Sequence, residues 1–461
     1  MRPFEIAIPF LISIYLLWRH PRPLPVRLLP AAALVVTLLH FSLEGYRWQM
    51  VPLYALTSLL ALSSLRKITG PGDWPAIASR LTVILLALST ALPILLPVPK
   101  IPYPGGSFQV GTIIYELTDV DRKETYSGRD EPRRFMVQVW YPGSAEKEEV
   151  RAPWMANAEI YAPAIATYIH MPPFFLDHLA LVDIPAYKEI PLVDSEKPFP
   201  VILFSHGWNG FNAQSTGQAL ELASHGYVVI STQHTYGAVT TVFPDGTLAP
   251  NNPDALPRDA DHPDYEVVAR KLVDQWVGDM SFVLDQFKAS NDDPQGLFFQ
   301  ALDMDRIGVY GHSTGGGAAI QFCGIDSRCK AVLGMDPFMR PVSAEVIEAG
   351  VQQPSFFMFS ESWAEIKESR NNRLFNQFRP HATNNLGVIM IVGTKHYDFS
   401  DLPLLSPVAP QLGLKGPLNG ARVTEIVNSY LLDFFDLTLK DRPSDLFDGS
   451  FDDYSEVQEL K

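Results

Sequence analysis

The sequence predicts an α/β fold with a mostly parallel sheet, preceded by a helical membrane region. Three observations support this prediction. After Gly111, short apolar runs rich in β-branched residues alternate with helical segments, as expected of strands buried on both faces of a sheet. One serine, Ser313, stands between glycines where a strand gives way to a helix. Four long apolar stretches occupy the first 100 residues.

The charge distribution divides the chain at about residue 100. Residues 1–100 carry nine Lys or Arg and three acidic residues, whereas the remaining 361 carry 27 basic and 48 acidic residues. Nucleic-acid binding needs basic patches, so the acidic part of the chain is a poor candidate for that class of function. The sequence also contains no phosphate-binding G-x-x-x-x-G-K-[ST] loop and no internal repeat.

The four apolar stretches of the first region are separated by basic connectors. Two of them are 18 and 19 residues long, close to the roughly 20 residues that cross a bilayer, and two are shorter. They are apolar on all sides, which favours membrane helices over a soluble bundle, and a signal peptide would have only one apolar core. We therefore predict a transmembrane region over 1–100, with four helices at about residues 4–19, 27–44, 48–65 and 80–98.

Basic residues in the connectors predict the orientation of these helices. The first and third connectors contain six Lys or Arg, against three on the opposite side, and the more basic connectors face the cytoplasm. The chain would then be a multi-pass protein of the cell membrane, with both termini and the downstream domain outside the cytoplasm. The six basic residues are Arg19, Arg22, Arg27, Arg66, Lys67 and Arg80.

Residues 101–440 are predicted to form the α/β domain. An amphipathic helix includes Leu272 and Phe287, and a final helix runs over about 423–439. Eight strands with the serine turn after the fifth are the plan of the α/β-hydrolase fold, so we predict an eight-stranded, mostly parallel sheet flanked by helices. The strand candidates are residues 111–115, 135–140, 201–204, 227–230, 307–310, 331–334, 355–359 and 388–392.

The segment around Ser313 has the form of a nucleophile elbow, G-x-S-x-G. Gly311 and Gly315 allow a sharp turn that pushes the serine out of the sheet edge. The helix that follows supplies N–H groups and a positive dipole end beside the serine. A bare motif arises by chance, but a strand before it and a helix after it predict a nucleophilic Ser313.

The partners of this serine should follow it in the order acid, then histidine. His396 comes directly after the last predicted strand. Asp336 follows the sixth strand and Glu361 the seventh, and the shorter Asp336 is favoured because it would hold an imidazole more rigidly. The oxyanion donors would be the backbone N–H groups of Thr314, next to the nucleophile, and of Trp208, after the third strand.

Other polar residues near these motifs have structural interpretations. His206, in a loop bordered by glycine, would support its turn, and His234 and His312 are also predicted to be structural. Asp398 and Asp401 are predicted to be solvated or to lie behind the catalytic residues.

Three further features allow more than one interpretation. Cys323 and Cys329, the only cysteines, are either small buried residues or, outside the cytoplasm, a disulfide beside the site. The insertion 152–182, which is rich in aromatic residues and nearly uncharged, either packs against the sheet or forms a lid that admits amphiphilic esters. The acidic tail 441–461 is predicted to be a solvated extension.

Taken together, these motifs resemble the platelet-activating-factor acetylhydrolase family, in the α/β-hydrolase branch that includes the plasma enzyme. The resemblance implies a triad of Ser313, Asp336 and His396, oxyanion donors at Trp208 and Thr314, and no metal or other cofactor. It also implies hydrolysis of short or oxidised acyl chains at the sn-2 position of phospholipids. The chain would be a bacterial-type member of the family, and its predicted membrane helices are an addition to the family's core. Thr314 stands where an aromatic residue is common in the family. The resemblance spans about residues 104–440 and rests on Phe204-Ser-His-Gly207, Leu222-Ala-Ser-His-Gly226, Gly311-His-Ser-Thr-Gly-Gly316, Asp336 and Gly393-Thr-Lys-His396.

The leading functional prediction is therefore a membrane-anchored serine esterase acting on short acyl esters of lipids. A broad carboxylesterase or polyester hydrolase and a serine peptidase of the same fold are alternatives. A non-catalytic, ligand-binding hydrolase fold conflicts with the complete triad. A transporter with an accessory domain conflicts with the lack of ionisable residues within the predicted helices.

Overall fold

The strands that the sequence predicts from apolar runs lie at the centre of one large sheet. A computed structural model of the chain describes residues 1–19, 21–65, 76–146, 149–366, 368–447, 450–451 and 453–460. In these residues eleven strands form the main sheet, and β7 and β8 form a separate hairpin. The strands are β1 Gln109–Lys123, β2 Pro132–Gly143, β3 Arg151–Pro153, β4 Asp183–Lys188, β5 Phe199–Ser205, β6 Val228–Gln233, β7 Thr240–Val242, β8 Leu248–Pro250, β9 Leu302–His312, β10 Cys329–Met335, β11 Ser355–Ser360, β12 Asn385–Ile391 and β13 Val457–Glu459.

The order of the strands is β13-β12-β11-β10-β9-β5-β6-β2-β1-β4-β3. The six strands from β12 to β6 are mutually parallel, whereas β2 runs antiparallel to both β6 and β1. The mostly parallel α/β-hydrolase sheet is therefore confirmed. The expectation of eight strands is wrong, because β3, β4 and β13 extend the edges. These strands are short and partly exposed, so they lack the continuous apolar run that marks a central strand.

Helices cover both faces of the sheet, as parallel strands require. The two predicted helices of this domain occur as α7 and α12. The former packs with α8 on one face, and the latter with α6 on the other. The helices are α1 Pro3–Leu17, α2 Leu24–Leu43, α3 Val51–Leu65, α4 Ala76–Leu95, α5 Ala158–Tyr168, α6 Thr216–Ser224, α7 Tyr265–Asp292, α8 Thr314–Ile325, α9 Ala344–Ala349, α10 Glu361–Ala364, α11 Arg370–Phe378 and α12 Gly420–Lys440.

The first four helices occur close to the predicted positions, but they differ in length. Within the described residues, only α2, with 20 residues, is both long and apolar enough to cross a membrane. Helices α1 and α3 have 15 residues each. The prediction of four spans is thus supported for one helix alone. Two of the basic residues that predicted the orientation, Arg66 and Lys67, lie outside the described residues.

One end of the bundle of helices α1 to α4 carries a network of paired charges. Here Arg2 pairs with Glu5 at 3.0 Å, and the buried Arg47 pairs with the same Glu5 at 2.8 Å. Arg47 also donates to the carbonyl of Leu96, which follows α4. Glu44, at the end of α2, lies 3.8 Å from Arg2. Buried charges are tolerated only when they are paired, so this network fixes the helix ends against one another.

The structure decides between two alternatives for the cysteines and corrects the prediction for the C-terminal tail. Cys323 and Cys329 form a disulfide with their Cα atoms 5.2 Å apart, so the disulfide alternative is the one realised. The tail is not simply a solvated extension, because β13 pairs antiparallel with β12. The buried ring of Phe451 also packs against Phe356, with the ring centroids 6.1 Å apart. These tail residues therefore complete the sheet edge and its core.

Candidate active site

Ser313 occupies a strained turn between β9 and α8. Its backbone has a positive φ of 56°, which residues with a side chain rarely adopt. The flanking glycines are sterically required. A Cβ on Gly311 would lie 2.2 Å from the carbonyl oxygen of Gly315, and a Cβ on Gly315 would lie 2.0 Å from that of Ser205. The elbow predicted from the motif therefore forms and presents Ser313 at the carboxyl edge of the sheet.

Asp336 and His396 come together at the same edge of the sheet. Asp336 follows β10 and His396 follows β12, and His396 Nδ1 lies 2.9 Å from Asp336 Oδ2. The carboxylate is fully buried and accepts hydrogen bonds from the Ser360 backbone N–H at 2.8 Å and the Ser360 hydroxyl at 2.6 Å. A carboxylate held in this way fixes the proton of His396 on Nδ1 and leaves Nε2 free to accept another.

The rival acid, Glu361, has a different partner. Its carboxylate oxygen Oε2 accepts a hydrogen bond from the backbone N–H of Gly393 at 3.0 Å. Its own backbone N–H donates to the hydroxyl of Thr394 at 3.3 Å. Glu361 thus holds the turn that leads to His396, while Asp336 is the acid brought to the imidazole.

Two further contacts hold the His396 ring and backbone. The indole of Trp363 stacks on the imidazole with the ring centroids 4.3 Å apart and the planes 13° from parallel. His312 Nε2 lies 2.8 Å from the carbonyl oxygen of His396, so its N–H donates to that oxygen. Sequence reasoning missed Ser360 and Trp363. The available signal was their position at and just after the end of β11, on the same edge of the sheet as Asp336 and His396.

The other histidines have the structural placement that the sequence predicts. His206 Nδ1 donates to the carbonyl of Gly207 at 2.7 Å, and its Nε2 accepts from the backbone N–H of His234 at 3.1 Å. Both nitrogens are therefore occupied, and burial lowers the pKa of His206 to about 3. His234 lies between the hydroxyl of Ser205 and the carboxylate of Asp279, each 3.0 Å away.

Asp398 and Asp401 are both buried, so a solvated role is wrong for either. Asp398 Oδ2 accepts from the backbone N–H of Lys395 at 2.7 Å, in the turn that carries His396. Asp401 accepts from the N–H groups of Thr216 and Gly217 at the start of α6, at 2.8 and 3.1 Å. Burial raises the pKa of Asp401 to about 7. Both carboxylates fasten loops behind the site.

A cavity of about 270 Å³ opens onto Ser313 and His396. None of its described lining residues is Asp, Glu, Lys or Arg. Five of them belong to the insertion 152–182, which therefore forms part of the cavity wall as well as packing into the core. Eight lining residues are aromatic, so the cavity suits uncharged, apolar groups. The aromatic residues are Trp154, Tyr168, Trp208, Phe211, Tyr265, Phe338, Trp363 and Tyr397.

Both expected oxyanion donors border this cavity. Thr314 begins α8, and the N–H groups of a first helical turn have no acceptor within their own helix. The segment with Trp208 runs against Ser313, because a Cβ on Gly207 would lie 3.2 Å from the Cβ of Ser313. The structure thus brings the five predicted site residues to one cavity or directly behind it.

Comparisons with known proteins agree with this architecture. The family model of platelet-activating factor acetylhydrolase, isoform II, matches residues 96–454. Platelet-activating factor acetylhydrolase of Cavia porcellus is 26% identical over 78% of this chain and 81% of its own length. A probable 1-alkyl-2-acetylglycerophosphocholine esterase of Arthroderma benhamiae is 27% identical over 77% of this chain and 92% of its own.

Among solved structures, a ferulic acid esterase from Streptomyces cinnamoneus has the same fold. Its TM-score is 0.63 at 23% identity, and the alignment covers 79% of this chain and all of that one. The family match spans most of the chain, so the resemblance inferred from the motifs and the prediction of an ester hydrolase are confirmed. The chain belongs to the platelet-activating factor acetylhydrolase isoform II family and is a carboxylic ester hydrolase.

Proposed function

We propose that this protein is a membrane-associated serine esterase that removes short acyl groups from phospholipid-like esters through Ser313, Asp336 and His396. The strongest support is the arrangement of these three residues. Ser313 and His396 border the same uncharged cavity, and the buried Asp336 carboxylate lies 2.9 Å behind the imidazole.

The reaction would proceed by acyl transfer to water. Ser313 Oγ attacks the ester carbonyl while His396 Nε2 takes its proton, and the same proton then goes to the departing alcohol. Asp336 stabilises the positive imidazolium. The N–H groups of Trp208 and Thr314 would bind the oxyanion, and losing one such donor costs about 3–4 kcal/mol of transition-state stabilisation. Water then releases the acid by the reverse proton transfers.

The size and lining of the cavity favour a short acyl group. Its volume of about 270 Å³ is at the lower limit of pockets that hold drug-sized ligands. Because no described lining residue is charged, the phosphate of a phospholipid would have to lie at the mouth. The names of the relatives, acetylhydrolase and acetylglycerophosphocholine esterase, point to the same acyl class.

Membrane association rests on the surface of α1 to α4. Most of the large apolar side chains that the described residues expose lie before residue 96. Examples are Phe10, Leu38, Leu59 and Leu88, each exposed by more than half. A soluble monomer rarely exposes such a continuous apolar surface, whereas lipid chains would cover it.

The catalytic cavity lies close to this apolar bundle. The indole N–H of Trp48 donates to the carbonyl of Phe175 at 3.1 Å, and Gln49 Nε2 lies 2.7 Å from His178 Nδ1. Burial lowers the pKa of His178 to about 4, so this second bond joins two neutral groups at physiological pH. Leu179, one residue further on, lines the cavity. The insertion would therefore act as a lip between bilayer and active site.

A fluorophosphonate probe and an ester panel test the chemistry. We expect the detergent-solubilised full chain to be labelled on Ser313, because the activated serine attacks phosphorus as it attacks a carbonyl. The value of kcat/KM should be highest for p-nitrophenyl acetate to butyrate and lowest for palmitate. Phospholipids with an sn-2 acetyl group should be cleaved in preference to those with sn-2 palmitoyl. A maximum at palmitate would indicate a lipase instead.

A second candidate, a broad carboxylesterase, is favoured by the eight aromatic rings of the cavity, which suit aryl esters as well as lipids. The same panel separates the two candidates. Turnover of simple aryl esters, with no activity on any phospholipid in mixed micelles, would establish the carboxylesterase.

Membrane association has its own test. After an alkaline wash of membranes from an expressing cell, the full chain should stay in the pellet and be released only by detergent, because its apolar helices would be buried in lipid. The orientation predicted from the basic connectors places residues 101–461 outside the cytoplasm. Protease added to intact cells or spheroplasts should then digest this region. Its complete protection would overturn that orientation, and release by alkali alone would argue against spanning helices.

A further inference from the structure

A second cavity lies next to the catalytic one, and a single side chain borders both. The second cavity, of about 420 Å³, is lined by residues of the insertion and of the β7–β8 hairpin, among them Ile160 and Val242. Among the residues that the structure describes, Phe211 is the one shared by the two linings. Its ring packs against those of Trp154 and Tyr161, with ring centroids 6.0 Å apart in both pairs.

Trp154, Tyr161 and Phe211 form an aromatic wall, which hydrogen bonds hold in place. The indole N–H of Trp154 donates to the carbonyl of Ala213 at 3.0 Å, and the amide of Gln233 donates to the hydroxyl of Tyr161 at 3.2 Å. The backbone that follows Phe211 is also held. Asn212 N–H donates to the Gln233 side chain at 2.6 Å, and the Asn212 carbonyl accepts from a serine hydroxyl at 2.7 Å. The ring of Phe211 is therefore held in place between the cavities.

The wall stands close to where an acyl chain would begin. Trp208, whose N–H would hold the carbonyl oxygen of the ester, is three residues before Phe211, which is at most about 10 Å of chain. The leaving oxygen must face His396, because the imidazole delivers its proton. The acyl chain would therefore point away from His396. Phe211 is a candidate to meet it, because Phe211 belongs to the segment that would hold the carbonyl and not to the loop that carries His396.

We propose that Phe211 determines acyl-length specificity: its ring closes the catalytic cavity against the second one, which would otherwise accept the distal part of a longer acyl chain. This inference rests on the proposed esterase function, because it assumes that Ser313 is acylated. It assigns the second cavity to the acyl group and not to the alcohol.

Opening the wall should lengthen the preferred acyl chain. For Phe211→Ala we expect the ratio of kcat/KM for p-nitrophenyl octanoate over acetate to rise about tenfold or more, because each additional buried methylene improves transition-state binding severalfold. Phe211→Leu, which removes less volume, should give a smaller rise. Fluorophosphonate labelling and acetate turnover confirm for each variant that the active site is still folded.

Filling the second cavity is the matched control. Ile114 lies on β1, lines that cavity and is 37% exposed, so we expect a larger side chain there to fit. Ile114→Trp alone should leave the length profile of the unmodified protein unchanged. Combined with Phe211→Ala, it should bring the octanoate-to-acetate ratio back towards the starting value.

The outcomes distinguish this inference from the proposed function. If the unmodified chain has no esterase activity and takes no label, the proposed function fails. An unmodified chain that is active, together with a Phe211→Ala variant that retains label and acetate turnover but has an unchanged ratio, overturns the role of Phe211. A series of acetate esters with longer alcohols provides the last comparison. A shift in alcohol length instead of acyl length would show that the second cavity serves the leaving group.

Discussion

Substituting alanine for Ser313 is expected to abolish ester hydrolysis and fluorophosphonate labelling. We expect kcat to fall by about 10⁴-fold or more, because no other group at the elbow can form the acyl-enzyme. The measurement is turnover of p-nitrophenyl acetate by the detergent-solubilised chain. The fold should remain intact, since a serine side chain is replaced by a smaller one at the cavity surface. Alanine at this position also provides the background rate for every other variant.

The acid can be tested by a matched pair within the same experiment. Asp336→Asn should lower kcat by about 10⁴-fold, because an amide opposite Nδ1 favours the wrong tautomer of His396. Glu361→Gln keeps an acceptor for the Gly393 N–H at similar length and should have a much smaller effect. If the glutamate variant were the more damaged of the two, Asp336 would not be the catalytic acid.

Replacing the buried Arg133 with leucine is expected to cause the largest loss of stability. Arg133 is fully buried and donates to both oxygens of Asp279, at 3.0 and 2.6 Å, to Glu124 at 2.5 Å and to the Thr235 carbonyl at 3.0 Å. Removing one member of a buried ion pair leaves uncompensated charge, which costs about 3–5 kcal/mol in the free energy of unfolding. Denaturant unfolding in detergent measures this change.

The neighbouring residue provides the control. Arg134 pairs with Glu116 at 2.8 Å, but both side chains are more than a quarter exposed, so Arg134→Leu should cost at most about 1 kcal/mol. Equal losses for the two variants would contradict the role given to burial.

The acid dependence of stability follows from the buried pair of Arg133 and Asp279. Burial alone would raise the pKa of Asp279, yet Arg133 and His234 hold it well below its usual range. A carboxyl group with a depressed folded-state pKa contributes stability that is fully present above its unfolded value and is lost as the pH falls through the folded one. The contribution of this ion pair to the stability of the unmodified protein should therefore be fully present at neutral pH and be lost only in strong acid, which denaturant unfolding over that pH range measures.

The central strands and the elbow were predictable because their causes are local. A strand buried on both faces must be apolar along its length, and β5 and β11 therefore stand out in the sequence. At the turn of Ser313, a Cβ on Gly311 would meet the carbonyl oxygen of Gly315, four residues away, so that part of the motif has a local cause. The requirement for glycine at 315 comes instead from the distant Ser205 on β5. The chain order of a nucleophile, an acid and a histidine likewise follows from the order of the strands that bear them.

The edge strands and the membrane region were harder to predict, for opposite reasons. β13 has three residues and is defined only by its pairing with β12, so no periodic pattern marks it. In the first 95 residues the apolar pattern is strong, but it does not indicate at which residue each helix ends. Arg47, in the predicted connector between the second and third helices, is instead buried in an ion pair with Glu5 before α3 begins.

The sequence by itself therefore determined the fold class, the elbow at Ser313 and the family, because short-range geometry and the apolar pattern of the strands encode them. Only the tertiary structure decided which carboxylate meets His396, since Asp336 and Glu361 both follow strands at the same edge and only distance separates them. It also placed Trp363 on the imidazole and Phe211 between two cavities. These contacts join residues far apart in the chain, and no local pattern carries information about them.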